Sequence, residues 1–142
     1  MKAIFIIISV LSLTFSVGCS DRIKDVSIVS DSTVFVFEWL TLLDNKKYDD
    51  AWNLTSEEFR ETTTKQQWIA TLEQYRLYTP MPDTRHIASS FQSSTLHDLQ
   101  KRGQYVSFDI TTKSVDGDTW REAVIVVKKG KNWEVIGYTM VI

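Results

Sequence analysis

Near Tyr78 the apolar spacing of this 142-residue chain changes from about 3.6 residues to 2, and Pro80 and Pro82 stand at the change. A helix that reaches Tyr78 cannot run on through them, because proline lacks the amide proton and its ring clashes with the preceding turn. Helices therefore belong before residue 80 and strands after it. That order restricts the fold to an α+β domain in which N-terminal helices pack on a curved antiparallel sheet of about four strands.

On the helical side, Asp31 is a candidate cap, and the segment from Ser32 to Leu43 sets Phe35, Trp39, Leu42 and Leu43 at helical spacing, with Val36 and Leu40 on the flank. Its length, without Gly or Pro, favours a helix over a short strand at Val34–Phe37. Asp44 to Lys47 form a turn. Tyr48, Ala51, Trp52 and Thr55 then describe a short second helix, and Asp49 and Asp50 suit its positive end. Thr64 and Gln67 have the capping-box spacing, and Trp68, Ile69, Leu72, Tyr75 and Arg76 follow as a third helix.

On the strand side, Arg85 to Ser93 holds a weak strand with Ile87 and Phe91 as its apolar members, and Ser94 to Arg102 reads as a loop or one helical turn. Val106, Phe108 and Ile110 alternate with Tyr105, Ser107, Asp109 and Thr111. Asp116-Gly117 is a two-residue hairpin turn, leading into a strand from Thr119 to Lys128. After a turn at Lys129 to Asn132, the last strand runs from Trp133 to Ile142. Strict alternation sets Trp133, Val135, Gly137 and Thr139 on one face and Glu134, Ile136, Tyr138 and Met140 on the other.

The amino terminus reads as an address. Lys2 precedes an apolar run from Ala3 to Val17, and Ser20, Asp21, Arg22 and Lys24 follow it closely. Spanning a bilayer takes roughly 20 apolar residues, so the run is a signal peptide by length. It ends in Ser16, Val17, Gly18 and the chain's single cysteine, Cys19, which resembles the bacterial lipobox. That resemblance implies cleavage before Cys19, a diacylglycerol on its thiol and an acylated new amino terminus. Two or three acyl chains, at about 0.8 kcal/mol per buried methylene, make a firm anchor. Ser20, rather than Asp, after the cysteine implies the outer membrane facing the periplasm where the host has two membranes. The chain then divides into a leader at 1–18, a tether without fixed structure at 19–30 and one domain at 31–142.

Composition narrows the chemistry. With 16 basic and 18 acidic residues there is no excess of positive charge for nucleic acid. One cysteine with His86 and His97 gives no metal-ligand spacing. The mature chain carries no Gly-rich phosphate loop, nucleophile elbow, or haem or flavin signature, so no cofactor is expected. Asp109 and Glu122, both on strands, are the candidate functional carboxylates, with Arg76, Arg85 and His86 as partners. If Glu122 shares a face with Trp120 and Val124, apolar surroundings raise its pKa and suit it to accept a proton. The favoured alternative is a structural ion pair with an arginine from the helix-to-sheet connection. Lys128, Lys129 and Lys131 form a basic hairpin tip, a solvated end or a headgroup contact.

The order and intervals of Trp39 and Asp44, Tyr48 and Trp52, Trp68 and Arg76, Arg85, and then Trp133, Gly137 and Tyr138 resemble the cone-shaped NTF2-like superfamily. Within it they are similar to the small secreted and lipoprotein family called domain of unknown function 4019, over about residues 32 to 142. The family has no assigned activity. The resulting expectation is a noncatalytic envelope lipoprotein that binds a protein partner or envelope component. The alternatives are a binder of small apolar molecules in the cone, oriented by Arg76 or Arg85, and an isomerase-like or dehydratase-like enzyme using Glu122 or Asp109. The Trp and Tyr set either lines a cavity or fills the space between helix and sheet.

Overall fold

A computed structural model describes residues 19–96 and 99–141. The leader at 1–18, His97 and Ile142 lie outside the described residues. Four helices come first: α1 Cys19–Asp44, α2 Tyr48–Asn53, α3 Glu57–Thr62 and α4 Lys65–Tyr78. The strands are β1 Pro82–Leu96, β2 Leu99–Ser114, β3 Thr119–Lys129 and β4 Asn132–Val141, joined in that order as one antiparallel sheet. The division at the two prolines is therefore the division between layers, and the fold is α+β.

Three local expectations are corrected. The stretch at 19–30, expected to lack fixed structure, is the first part of α1. Nothing between Cys19 and Asp44 breaks a helix, Ile28 packs on the core, and the buried Ser32 hydroxyl donates to the Ile28 carbonyl at 2.7 Å. The short helix α3 was not expected; Ser56 caps it, its hydroxyl accepting from the Phe59 amide at 3.1 Å, and Phe59 is buried. It is too short for hydrophobic periodicity to reveal. Finally, most of the segment from Ser94 to Arg102 is strand, with Thr95 opposite Arg102 and Leu96 opposite Leu99. Backbone pairing, once begun, extends through Ser, Thr and Gln residues whose side chains carry no burial signal.

The core lies between the helices and one sheet face. Val36, Trp39, Leu40 and Leu43 project from α1, Trp68 and Leu72 from α4, and Val106, Phe108, Ile110, Val124, Val126, Trp133 and Val135 from the sheet. Each such side chain, fully buried, contributes roughly 1.5–3 kcal/mol. Trp39 is fully buried and donates its indole N–H to the Ala51 carbonyl at 3.0 Å, which fixes α2 against α1. Its ring meets Tyr138 edge-on at 5.2 Å and Trp68 at 6.2 Å, and Trp52 and Phe59 pack on Trp68 in turn.

The segment after α2 covers part of the β4 edge. The Ser56 amide donates to the Val135 carbonyl at 2.8 Å, and the Val135 amide donates to the Leu54 carbonyl at 2.9 Å. Arg60 holds this strap by donating to the carbonyls of Trp52, Asn53 and Thr55. Glu58 of α3 accepts from Lys129 at 2.9 Å and from Lys101 at 3.3 Å, tying the β3–β4 turn to the start of β2.

Two tests follow from these contacts. Thr64 caps α4 with the reciprocal pair expected of it: its hydroxyl accepts from the Gln67 amide and the Gln67 side chain accepts from the Thr64 amide, both at 3.2 Å. Thr64→Ala should cost about 1 kcal/mol, read as a lower urea midpoint with an unchanged slope. The hydrogen bond from Lys129 lowers the Glu58 pKa from 4.5 to about 2. Because the folded state holds this proton less tightly than the unfolded chain, the stabilisation is complete above pH 4.5 and is lost as pH falls toward 2. Glu58→Gln should flatten the stability profile across that window.

Candidate functional site

One helix end, a second helix and all strands of the sheet converge on a buried charge network. Asp44 closes α1, Arg76 lies in the last turn of α4, Arg85 is near the start of β1, and Thr112, Glu122 and Tyr138 come from β2, β3 and β4. Arg85 bridges the two carboxylates: Nη1 donates to Asp44 Oδ2 at 2.6 Å and Nη2 to Oδ1 at 2.9 Å, while Nε donates to Glu122 Oε2 at 2.8 Å. Arg76 Nη2 donates to Asp44 Oδ1 at 2.6 Å. The hydroxyl of Tyr138 donates to Glu122 Oε1 at 2.8 Å, and that of Thr112 to Oε2. Two carboxylates thus face two guanidiniums, with formal charge balanced.

Burial makes the balance matter. Glu122 is 0% exposed and the Arg85 side chain 9%. Burial by itself lowers the Arg85 pKa, but the hydrogen bonds to Asp44 and Glu122 outweigh it and the net shift is upward. Burial, reinforced by the Glu122 charge, pushes the Tyr138 phenol well above its ordinary value, so Tyr138 stays a neutral donor. Both Glu122 oxygens accept hydrogen bonds, and its side chain faces packed core. Among the described residues, Arg76 Nη1 and Tyr48 Oη are buried without a protein partner.

Tyr138 reaches this site through a β-bulge. Ile125 stands opposite Gly137 while Val126 stands opposite Val135, so Ile136 is an extra residue in β4. The insertion shifts the alternation by one, and Tyr138 and Met140 join Trp133 and Val135 on the core face. Strict alternation had set them on opposite faces; that expectation is corrected. No signal in the sequence marks Ile136 as the bulged residue.

Of the residues singled out from the sequence, Arg76, Arg85 and Glu122 are brought together, and Asp44, Thr112 and Tyr138 complete their set. Asp109 is elsewhere: it lies on the outer sheet face, where Arg121 Nε donates to Oδ1 at 3.0 Å. His86 is exposed on β1, Cys19 begins α1, and Lys128, Lys129 and Lys131 surround the β3–β4 turn. Trp39, Trp52, Trp68 and Trp133 fill space between helices and sheet. The outer face carries a shallow depression of about 460 Å³ lined by Phe91, Ser107, Asp109, Arg121, Ala123, Ile125 and Val141, with Phe91 70% exposed.

Arg85→Leu leaves Glu122 buried without its cationic partner, while Asp44 keeps Arg76, and should destabilise by about 3–5 kcal/mol. Tyr138→Phe removes one hydrogen bond to a charged acceptor and should cost about 1.5–3 kcal/mol. Urea unfolding of both variants checks the order as well as the size.

Comparison with known proteins follows the same boundaries. A family model described as "Protein of unknown function (DUF4019)" matches residues 36–138. Among solved structures, that of Bdellovibrio bacteriovorus Bd1075 matches with a TM-score of 0.52 at 15% identity, over 88% of this chain and 43% of that one. The chain spans less than half of that protein, and the likeness is one of fold. No curated protein matches. The matched segment contains every member of the buried network, from Asp44 to Tyr138, and the chain belongs to the DUF4019 family of proteins of unknown function.

Proposed function

We propose that the protein is a noncatalytic, lipid-anchored module of the cell envelope, fastened through an acylated Cys19, that binds a protein partner on the uncovered face of its sheet. We assign it to the NTF2-like superfamily and to the outer membrane facing the periplasm where there are two membranes. The observation that carries the binding reading is the outer-face depression, in which Phe91, Ala123, Ile125 and Val141 form an apolar floor beside the Asp109–Arg121 pair. A mixed surface of this kind, apolar at the centre and charged at the rim, suits a protein partner. The Trp-filled interior favours this reading over capture of a small molecule between helices and sheet. The full engagement of Glu122 favours it over proton-transfer chemistry.

The anchor reading rests on the lipobox-like run before Cys19. Among the described residues no helix is long and apolar enough to cross a membrane. In-cell crosslinking and pull-down of the wild-type chain, Cys19→Ser and Phe91→Asp should recover one envelope protein with wild type only. Phe91→Asp should change folding stability by less than about 0.5 kcal/mol, because the ring is mostly in solvent. Equal recovery with all the chains, or an intact mass showing a bare thiol at Cys19, would overturn the proposal.

A further inference from the structure

The course of α1 along the sheet orients the domain relative to its anchor. Asp44, at one end of the helix, meets Arg85 on β1, while Ile28 shares a small hollow with Gln92, Ser93 and Tyr105. The helix rises about 24 Å from Ile28 to Asp44. Along β1 the distance from Ser93 to Arg85 is about 26 Å. The near equality means that α1 runs back along β1, close to antiparallel. From Ile28 to Cys19 the helix extends about another 14 Å, whereas Ser93 lies about 10 Å from the end of β1 at Leu96. Cys19 therefore sits level with the end of the ribbon where Leu96 pairs with Leu99.

The β3–β4 turn is at the same end. Ser93 pairs with Tyr105 and Tyr105 with Val127, so Lys128 to Lys131 continue in the direction of Leu96. This end carries Lys101, Arg102, Lys128, Lys129 and Lys131. Glu58 occupies Lys101 and Lys129, and Glu57 and Glu134 flank Lys129. Lys128 lies over the Trp133 ring at 5.4 Å, and among the described residues Arg102 and Lys131 have no carboxylate partner. The far end, by contrast, exposes Leu77, Tyr78, Met81 and Val115.

We propose that the domain stands end-on, with the start of β2 and the β3–β4 turn resting on an anionic bilayer through Arg102, Lys128 and Lys131, and with the apolar far end held away from the lipid. The inference rests on the reading of Cys19 as the anchored residue; the Cys19 position supplies the approach, and the three cations supply the preference for negative headgroups.

Lysine footprinting with an impermeant succinimidyl ester tests it on the full lipidated chain. The protein is reconstituted in vesicles of phosphatidylcholine alone or with phosphatidylglycerol. Lys128 and Lys131 should label at least threefold more slowly on the anionic vesicles, and about 0.5 M salt should erase the difference, since it shortens the screening length to a few ångströms. Lys46, Lys47 and Lys113, at the other end, should label equally on both. Equal labelling of Lys128 and Lys131 on the two compositions, or matching protection at both ends, would overturn the orientation. If intact mass shows Cys19 without acyl chains, the anchor reading fails by itself. The Cys19 thiol is then coupled to a maleimide lipid, and the same labelling ratios decide the orientation.

Discussion

The Arg85 guanidinium, shared between Asp44 and Glu122, is the interaction on which the rest of the architecture depends. An uncompensated carboxylate with no solvent exposure would cost several kcal/mol, so Glu122 requires Arg85, Thr112 and Tyr138 in place together. Those partners sit on different elements. The network is satisfied with α1, α4 and the sheet docked in this one arrangement. A buried ionic cluster of this kind need not add net stability over an apolar core of equal volume. Its contribution is uniqueness: alternatives leave charges unpaired.

That arrangement sorts the molecule's surfaces. Helices, tryptophans and the charge network consume one sheet face, leaving the opposite face exposed. An antiparallel sheet carries a solvated face without penalty. Here that face is apolar at its floor and holds the Asp109–Arg121 pair at its rim. The two candidate carboxylates thus have separate settings: Glu122 is locked in the core, and Asp109 lies on the outer face beside Arg121.

Much of the layout was legible from spacing. The break at Pro80 and Pro82, the Thr64–Gln67 cap and the alternation around Phe108 are local properties, and each stands where the residues indicate. The β2–β3 turn is not the two-residue hairpin expected at Asp116-Gly117 but a three-residue loop, Val115 to Gly117, closed by the Ser114 amide donating to the Asp118 carbonyl, with positive φ at Gly117 and not at Asp116. Polar segments were less legible. The first part of α1 and the outer half of the β1–β2 ribbon are polar in sequence and regular in backbone, so hydrophobic periodicity is nearly silent there. Of the charge network, the pairing of an arginine from the helix-to-sheet connection with Glu122 could be anticipated from residue type. Asp44 looked like part of a turn, and Tyr138 looked as though it belonged to the other face.

The sequence by itself determined the class of fold, the order of its layers and the residues available to its core, because helix and strand periods, caps and proline restrictions act over a few neighbouring residues. Tertiary structure alone decided which charges meet, since Asp44 and Arg85 are far apart along the chain and converge only when α1 lies along β1. It also decided the side to which Tyr138 turns. A single extra residue at Ile136 reverses every later side chain in β4, and that bulge arises from pairing between strands, which no local pattern records.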